Sequence, residues 1–181
     1  MDISGMSGFL SEGELERHLD YLEAERLRHS VEVKSAEWLR ELDYFDLRAM
    51  RSHRRTRREV APRLLNILMH EVYFSSFVTE VRPSECVRRH YGSEDAFLYE
   101  GVELSEQVGQ GFIYVYMSGR GVPMWAALCG LGDGLLGVPL LAVDLYEHAY
   151  FGCYGFDRRA YLRAALAHFD LGRLSVLKNN S

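Results

Sequence analysis

The 181-residue chain is short of several things, and each shortage narrows what it can be. It has no basic excess: its formal net charge is −5 at pH 7, so a general affinity for nucleic acid is not expected. It has few cysteines, and Cys86, Cys129 and Cys153 are odd in number, widely spaced and form no C-x-x-C pair. That pattern argues against a disulfide framework and fits a reducing compartment. No apolar run approaches the length needed to cross a bilayer. The opening "MDISGMSGFLSEGELERH" has no apolar stretch behind a basic start. The expectation is a cytoplasmic protein that binds neither membrane nor nucleic acid. The one dense basic patch, "RSHRRTRRE" (51–59), reads as a solvated connection between helices, with a local anion or nucleic-acid patch as the alternative.

What is present is ample for a buried interior: 48% of residues are apolar and 12% aromatic. The length suits one compact unit, or two small layers sharing a core. Ser11 stands three residues before Glu14, the spacing of a capping box. Leu15, His18, Leu19 and Leu22 then recur at helical spacing, which puts His18 inside the apolar stripe. A second helix is predicted from Pro62 to Pro83, with Asn66, His70, Tyr73, Phe74 and Phe77 sharing a face. Residues 35–48 read as helix or loop. After a boundary at Pro83–Ser84, two shorter helices flank Gly92. Strands are predicted at 109–119, 123–129 and 138–143, with connections short enough for antiparallel neighbours. From about Asp144 the chain turns helical, and a last helix spans 158–172, ending at Gly172. Helices, a small sheet, then helices again make an α+β layout.

The chemistry concentrates in "PLLAVDLYEHAYF" (139–151), where an apolar strand runs out into Asp144, Glu147 and His148. An aspartate N-cap with a glutamate at the third helical position would explain both carboxylates without function. It leaves His148 unexplained. His70 or His18 alone reads as a core histidine with a satisfied ring. Taken together, three imidazoles and one carboxylate on inward faces of different elements are a ligand set without thiolate. Such a set points to iron or manganese more than to copper(I) or structural zinc. "GDGLLG" (132–137) matches G-x-G-x-x-G, but Val138 and Pro139 lead into a strand where a dinucleotide site needs a helix, so it reads as a loop.

These segments resemble the iron/manganese superoxide dismutases. "VDLYEHAYF" is similar to the D-x-W-E-H-A-Y-Y signature, continuing through Tyr154, Arg158 and Tyr161. "GQGFIYVYM" resembles the G-S-G-W strand, "YGSEDAF" the F-G-S segment before it, "LLNILMHEVYF" the N-H-x-F-Y-W helix, and "LSEGELERH" the I-S opening. The resemblance implies an N-terminal helical hairpin (1–83) and a C-terminal α/β half (84–181) with a three-stranded antiparallel sheet. It implies His18, His70, Asp144 and His148 as ligands of one iron or manganese ion per chain, with superoxide as substrate. It further implies a homodimer in which Glu147 of one subunit meets His148 of the other.

Several positions depart from the family pattern. Where the family places a glutamine four residues before the second histidine, this chain has Asn66, otherwise a locally bonded helix residue. The solvent-gateway histidine and tyrosine are Leu22 and Arg26, and the residue that the gateway histidine reaches across the dimer is Phe151. Arg26 is either an ordinary solvated residue or a cation that draws an anion inward, and Arg158 is a further candidate for that task. Phe74, Phe112 and Tyr146 stand where tryptophans are expected. A dismutase is therefore the first reading. A protein that keeps the fold without the enzymatic rate is the second, and another oxygen-handling iron enzyme the third.

Overall fold

The computed structural model describes residues 3–28, 61–130 and 135–179. The 35–48 stretch, the arginine-rich segment 51–58 and the first three residues of "GDGLLG" lie outside them. Helix α1 covers Glu12–Arg28. Its entry matches expectation on one side: Ser11 Oγ accepts from the Glu14 amide at 3.3 Å. The Glu14 carboxylate does not return to Ser11, however, but pairs with Arg17 and accepts from the Gly152 amide at 3.3 Å. Acidic residues in the first turn and Arg26 and Arg28 in the last complement the helix dipole. Leu15, His18 and Leu22 lie buried along one face.

Helix α2, Ala61–Phe74, is shorter than predicted, ending nine residues before Pro83. Two serines stop it. The hydroxyls of Ser75 and Ser76 both donate to the Val72 carbonyl, at 3.0 and 2.7 Å, and this local alternative competes with another helical turn. Phe77 therefore leaves the helix and bridges to Phe169. Ser76 Oγ also accepts from the Ala142 amide at 2.8 Å, tying α2 to the strand that carries Asp144. Ser76→Ala would strand that buried N–H, so urea denaturation is expected to show a loss of about 1–3 kcal/mol.

Helices α3 (Glu85–Tyr91) and α4 (Glu94–Glu106) fall where expected, capped by Ser84 and Ser93 and parted by Gly92 at φ +80°. Strands β1 (Phe112–Met117), β2 (Pro123–Leu128) and β3 (Leu141–Asp144) form an antiparallel sheet in the order β2-β1-β3. The expectation that β2 and β3 are neighbours is corrected: β3 pairs on the other edge of β1, with Phe112 opposite Asp144. A central β1 is buried on both faces, consistent with its unbroken apolar and aromatic composition.

After β3 come a short 3-10 turn (Glu147–Ala149), α5 (Phe151–Tyr154) and α6 (Arg158–Leu166). The predicted last helix thus ends six residues before Gly172, and a separate 3-10 segment, Leu171–Asn179, runs through that glycine. The break is where the chain joins the core: Val78 N–H donates to the His168 carbonyl and Asp170 N–H to the Ser76 carbonyl, at 2.8 and 2.9 Å. One buried core takes residues from both sides of Pro83, and the stacked rings of Phe97, Trp125 and Phe169 line part of it. Among the described residues no helix is long and apolar enough to cross a membrane.

Candidate metal centre

Four side chains from four elements meet at one point. His18 comes from α1, His70 from α2, Asp144 from the last position of β3, and His148 from the following 3-10 turn. The Nε2 atoms of His18, His70 and His148 stand 3.3, 3.3 and 3.2 Å from Asp144 Oδ2. His70 and His148 Nε2 are 3.3 Å apart, and the four potential ligand atoms all lie within 4.8 Å of one another. His18, His70 and Asp144 are buried, while the His148 side chain keeps 32% exposure and forms the open side of the site. Among the described residues no other group of three or more His, Cys, Asp or Glu side chains converges in this way.

Several of these atoms are left without partners. His18 Nδ1 and Nε2 and Asp144 Oδ2 are buried and complete no hydrogen bond. Such orphaned atoms are costly in an apolar interior, and the cost is removed if they share a cation. Separations of 3.2–3.3 Å are edge lengths of a polyhedron whose vertices lie about 2.0–2.2 Å from a central ion. Nitrogen and carboxylate donors without sulfur fit iron or manganese. The residues present therefore fit a mononuclear metal.

Electrostatics and hydrogen bonding set the charge and orientation of these side chains. Burial works against ionising Asp144, but the three adjacent imidazoles outweigh it and hold the carboxyl well below its usual range. Burial lowers the pKa of His18, overcoming Asp144, so this ring favours the neutral form that coordinates a metal. His70 moves the other way. Burial pulls it down, but its contacts with Asp144 and with the Asn66 carbonyl leave it raised. His70 Nδ1 lies 2.8 Å from that carbonyl, so an N–H there fixes the tautomer and leaves Nε2 for the centre. Asp144 is held from both ends: Oδ1 accepts from the Tyr146 amide at 2.8 Å, and its backbone carbonyl accepts from the Tyr161 hydroxyl at 3.0 Å. The capping alternative for Asp144 and Glu147 is thus replaced by a local turn that aims Oδ2 inward.

A pH effect on the metal-free protein follows. A carboxylate depressed by folding contributes stability that is complete above its unfolded value of 3.8 and is lost as pH falls through the folded value. His18, lowered, gives stability that is lost as pH falls below 6.5, whereas His70, raised, gives stability that is lost as pH rises above it, so these two oppose. Urea midpoints are expected to drop steeply below about pH 4. The drop should be smaller in Asp144→Asn.

Around the centre, Phe74 lies 4.9 Å from His18, Phe112 5.2 Å from His70 and Tyr146 5.7 Å from His148, ring centre to ring centre. All three stand-ins for tryptophan line the site. Asn66 is buried beside it, its amide donating to the Tyr21 hydroxyl at 3.4 Å. Tyr21 itself was not anticipated, although it stands one helical turn after His18 on the same side of α1. Leu22 is buried. Arg26 is bound to Glu71, the residue after His70, at 2.8 Å with Glu23 at 3.9 Å, so its charge is matched by carboxylates. Arg158 is away from the centre, donating to the Gly109 and Ser105 carbonyls at 2.7 and 3.0 Å, where it caps the end of α4. Phe151 is exposed and packs edge-on against Phe156, at 5.2 Å. Cys86, Cys129 and Cys153 are all unbridged.

Fold and site together define a helix-plus-sheet protein with a three-histidine, one-aspartate centre between its helices and the end of its sheet. Residues 80–173 match the family model for the C-terminal domain of iron/manganese superoxide dismutases, and the chain belongs to that family. It is 30% identical over 125 residues to the iron superoxide dismutase of Cupriavidus metallidurans, covering 61% of this chain and 60% of that relative.

Proposed function

We propose that His18, His70, Asp144 and His148 hold one iron or manganese ion, iron ahead of manganese, and that the protein disproportionates superoxide. The observation that carries this is the convergence of three imidazole nitrogens on an otherwise unsatisfied Asp144 oxygen. The iron enzyme among its relatives supports the metal assignment. When bound, such an ion supplies a one-electron couple that serves both half-reactions, superoxide to dioxygen and superoxide to hydrogen peroxide. The chain's own residues set the conditions. Asp144 stays anionic and offsets part of the ion's charge. The Asn66 carbonyl fixes the His70 tautomer, while its side-chain amide is proposed to hydrogen-bond the ion's solvent. Phe74, Phe112 and Tyr146 exclude bulk water. Arg26 is proposed to guide the anion at the rim, with its pull reduced by Glu71 and Glu23.

The test is superoxide turnover by the purified protein, before and after reconstitution with each metal. Turnover that survives dialysis supports the proposal. A metal-loaded protein no faster than the free ion would favour the second reading, a fold-retaining metal protein without the enzymatic rate. Leu22, Arg26 and Phe151 at the gateway positions motivate that reading.

The partner is proposed to be a second copy of the chain. Glu147 is exposed next to the part-exposed His148, and the exposed Phe151–Phe156 pair begins three residues further along the chain. Sedimentation should show a dimer that Glu147→Ala weakens. We place the protein in the cytoplasm and its domain junction at Pro83, close to where the family match begins.

A further inference from the structure

We infer that Tyr21 is a working residue of this centre, forming with Asn66 a pair of hydrogen-bonding groups that receives a small anion over His70 and His148. The inference rests on the metal reading above. The Tyr21 ring lies 4.5 Å from the His148 ring and 5.3 Å from the His70 ring, the two imidazoles whose Nε2 atoms stand 3.3 Å apart. It thereby covers the more open side of the site, where His148 is part-exposed.

The direction of its hydrogen bond matters most. Asn66 Nδ2 donates and the Tyr21 hydroxyl accepts, at 3.4 Å. That leaves the hydroxyl's own proton unspent, and no group among the described residues accepts it. An amide and a phenol joined in this way present a donor without a charge. Arg26 cannot fill that place alone, because Glu71 and Glu23 match its charge. A neutral donor at the mouth of a cationic centre suits a small anion, which is attracted by the ion and oriented by the hydroxyl. Tyr146 also stacks on His148, at 5.7 Å, but its ring lies on the Phe112 side.

Tyr21→Phe keeps the ring against both imidazoles and removes one oxygen. The probe is azide, titrated into the ferric protein and followed by its visible absorption, with iron content measured on the same samples. Wild type and Tyr21→Phe should carry equal iron, while azide binds the variant about fivefold or more weakly, the range of one lost hydrogen bond. Asn66→Ala should weaken azide as well, and the double variant should fall short of the product of the two effects, because the residues act as a unit. Equal iron with azide affinity within about twofold of wild type would overturn the role of Tyr21 and leave the metal centre standing. Loss of iron from Tyr21→Phe would also overturn it, since Tyr21 would then be supporting the ligands. A wild type that takes up no iron would overturn the metal reading, and this inference with it.

Discussion

His70→Ala is expected to strip the protein of its metal while leaving it folded. His70 contributes Nε2 at 3.3 Å from both Asp144 Oδ2 and His148 Nε2, so its loss removes one corner of the site and leaves two imidazoles and a carboxylate. Losing a residue that only supports a ligand costs about 10–100-fold in metal affinity, and losing the ligand itself should exceed about 100-fold. Elemental analysis after gel filtration should show about one ion per chain in wild type and less than about one-tenth in the variant. The helix carrying it is held independently, by the Ser76 bridge to Ala142 and the packing of Tyr73 and Phe74, so circular dichroism should be preserved. An unfolded variant would show that the four side chains serve stability first.

The largest loss of stability is expected from Gly111→Ala. Gly111 has φ +134°, a conformation that residues with a side chain rarely adopt. A methyl group there would meet the Leu128 carbonyl of the neighbouring strand. The Gly111 carbonyl also accepts from the Leu145 amide at 2.8 Å, one residue beyond Asp144. Backbone strain and the steric conflict therefore fall at the corner that sets the position of Asp144, a proposed metal ligand. A cost above about 3 kcal/mol in urea denaturation is expected. Metal content should fall in parallel, since β1 holds β3 through the Phe112–Asp144 register. A variant with unchanged midpoint and full metal would mean that the corner relaxes freely.

Much of this was legible in the chain because it is written in short-range signals. Ser84 and Ser93 cap their helices, Gly92 turns the chain between them, and the run from Phe112 to Met117 forms a buried strand. His18 and His70 are legible because imidazoles on apolar helical faces need partners, and both converge on the Asp144 carboxylate. What stayed hidden depends on long-range or side-chain-specific contacts. Hydrophobic periodicity alone carries α2 on to Pro83, whereas two serine hydroxyls on the Val72 carbonyl end it at Phe74. Loop length favours pairing β2 with β3, but the contacts that place β3 beside β1 come from α2 and from Gly111. Tyr21 carries no such signal, because the family pattern places its gateway four and eight residues after His18, whereas a residue three away also lies over the same face. Arg158, a candidate for drawing an anion inward, is instead bound to two carbonyls.

The most direct measurement is X-ray absorption at the metal edge of protein expressed with iron and manganese both supplied. A single shell of nitrogen and oxygen neighbours at about 2.0–2.2 Å, with imidazole scattering from three rings and no sulfur, is the expected spectrum. A sulfur shell, or folded protein carrying neither metal, would contradict the assignment of His18, His70, Asp144 and His148.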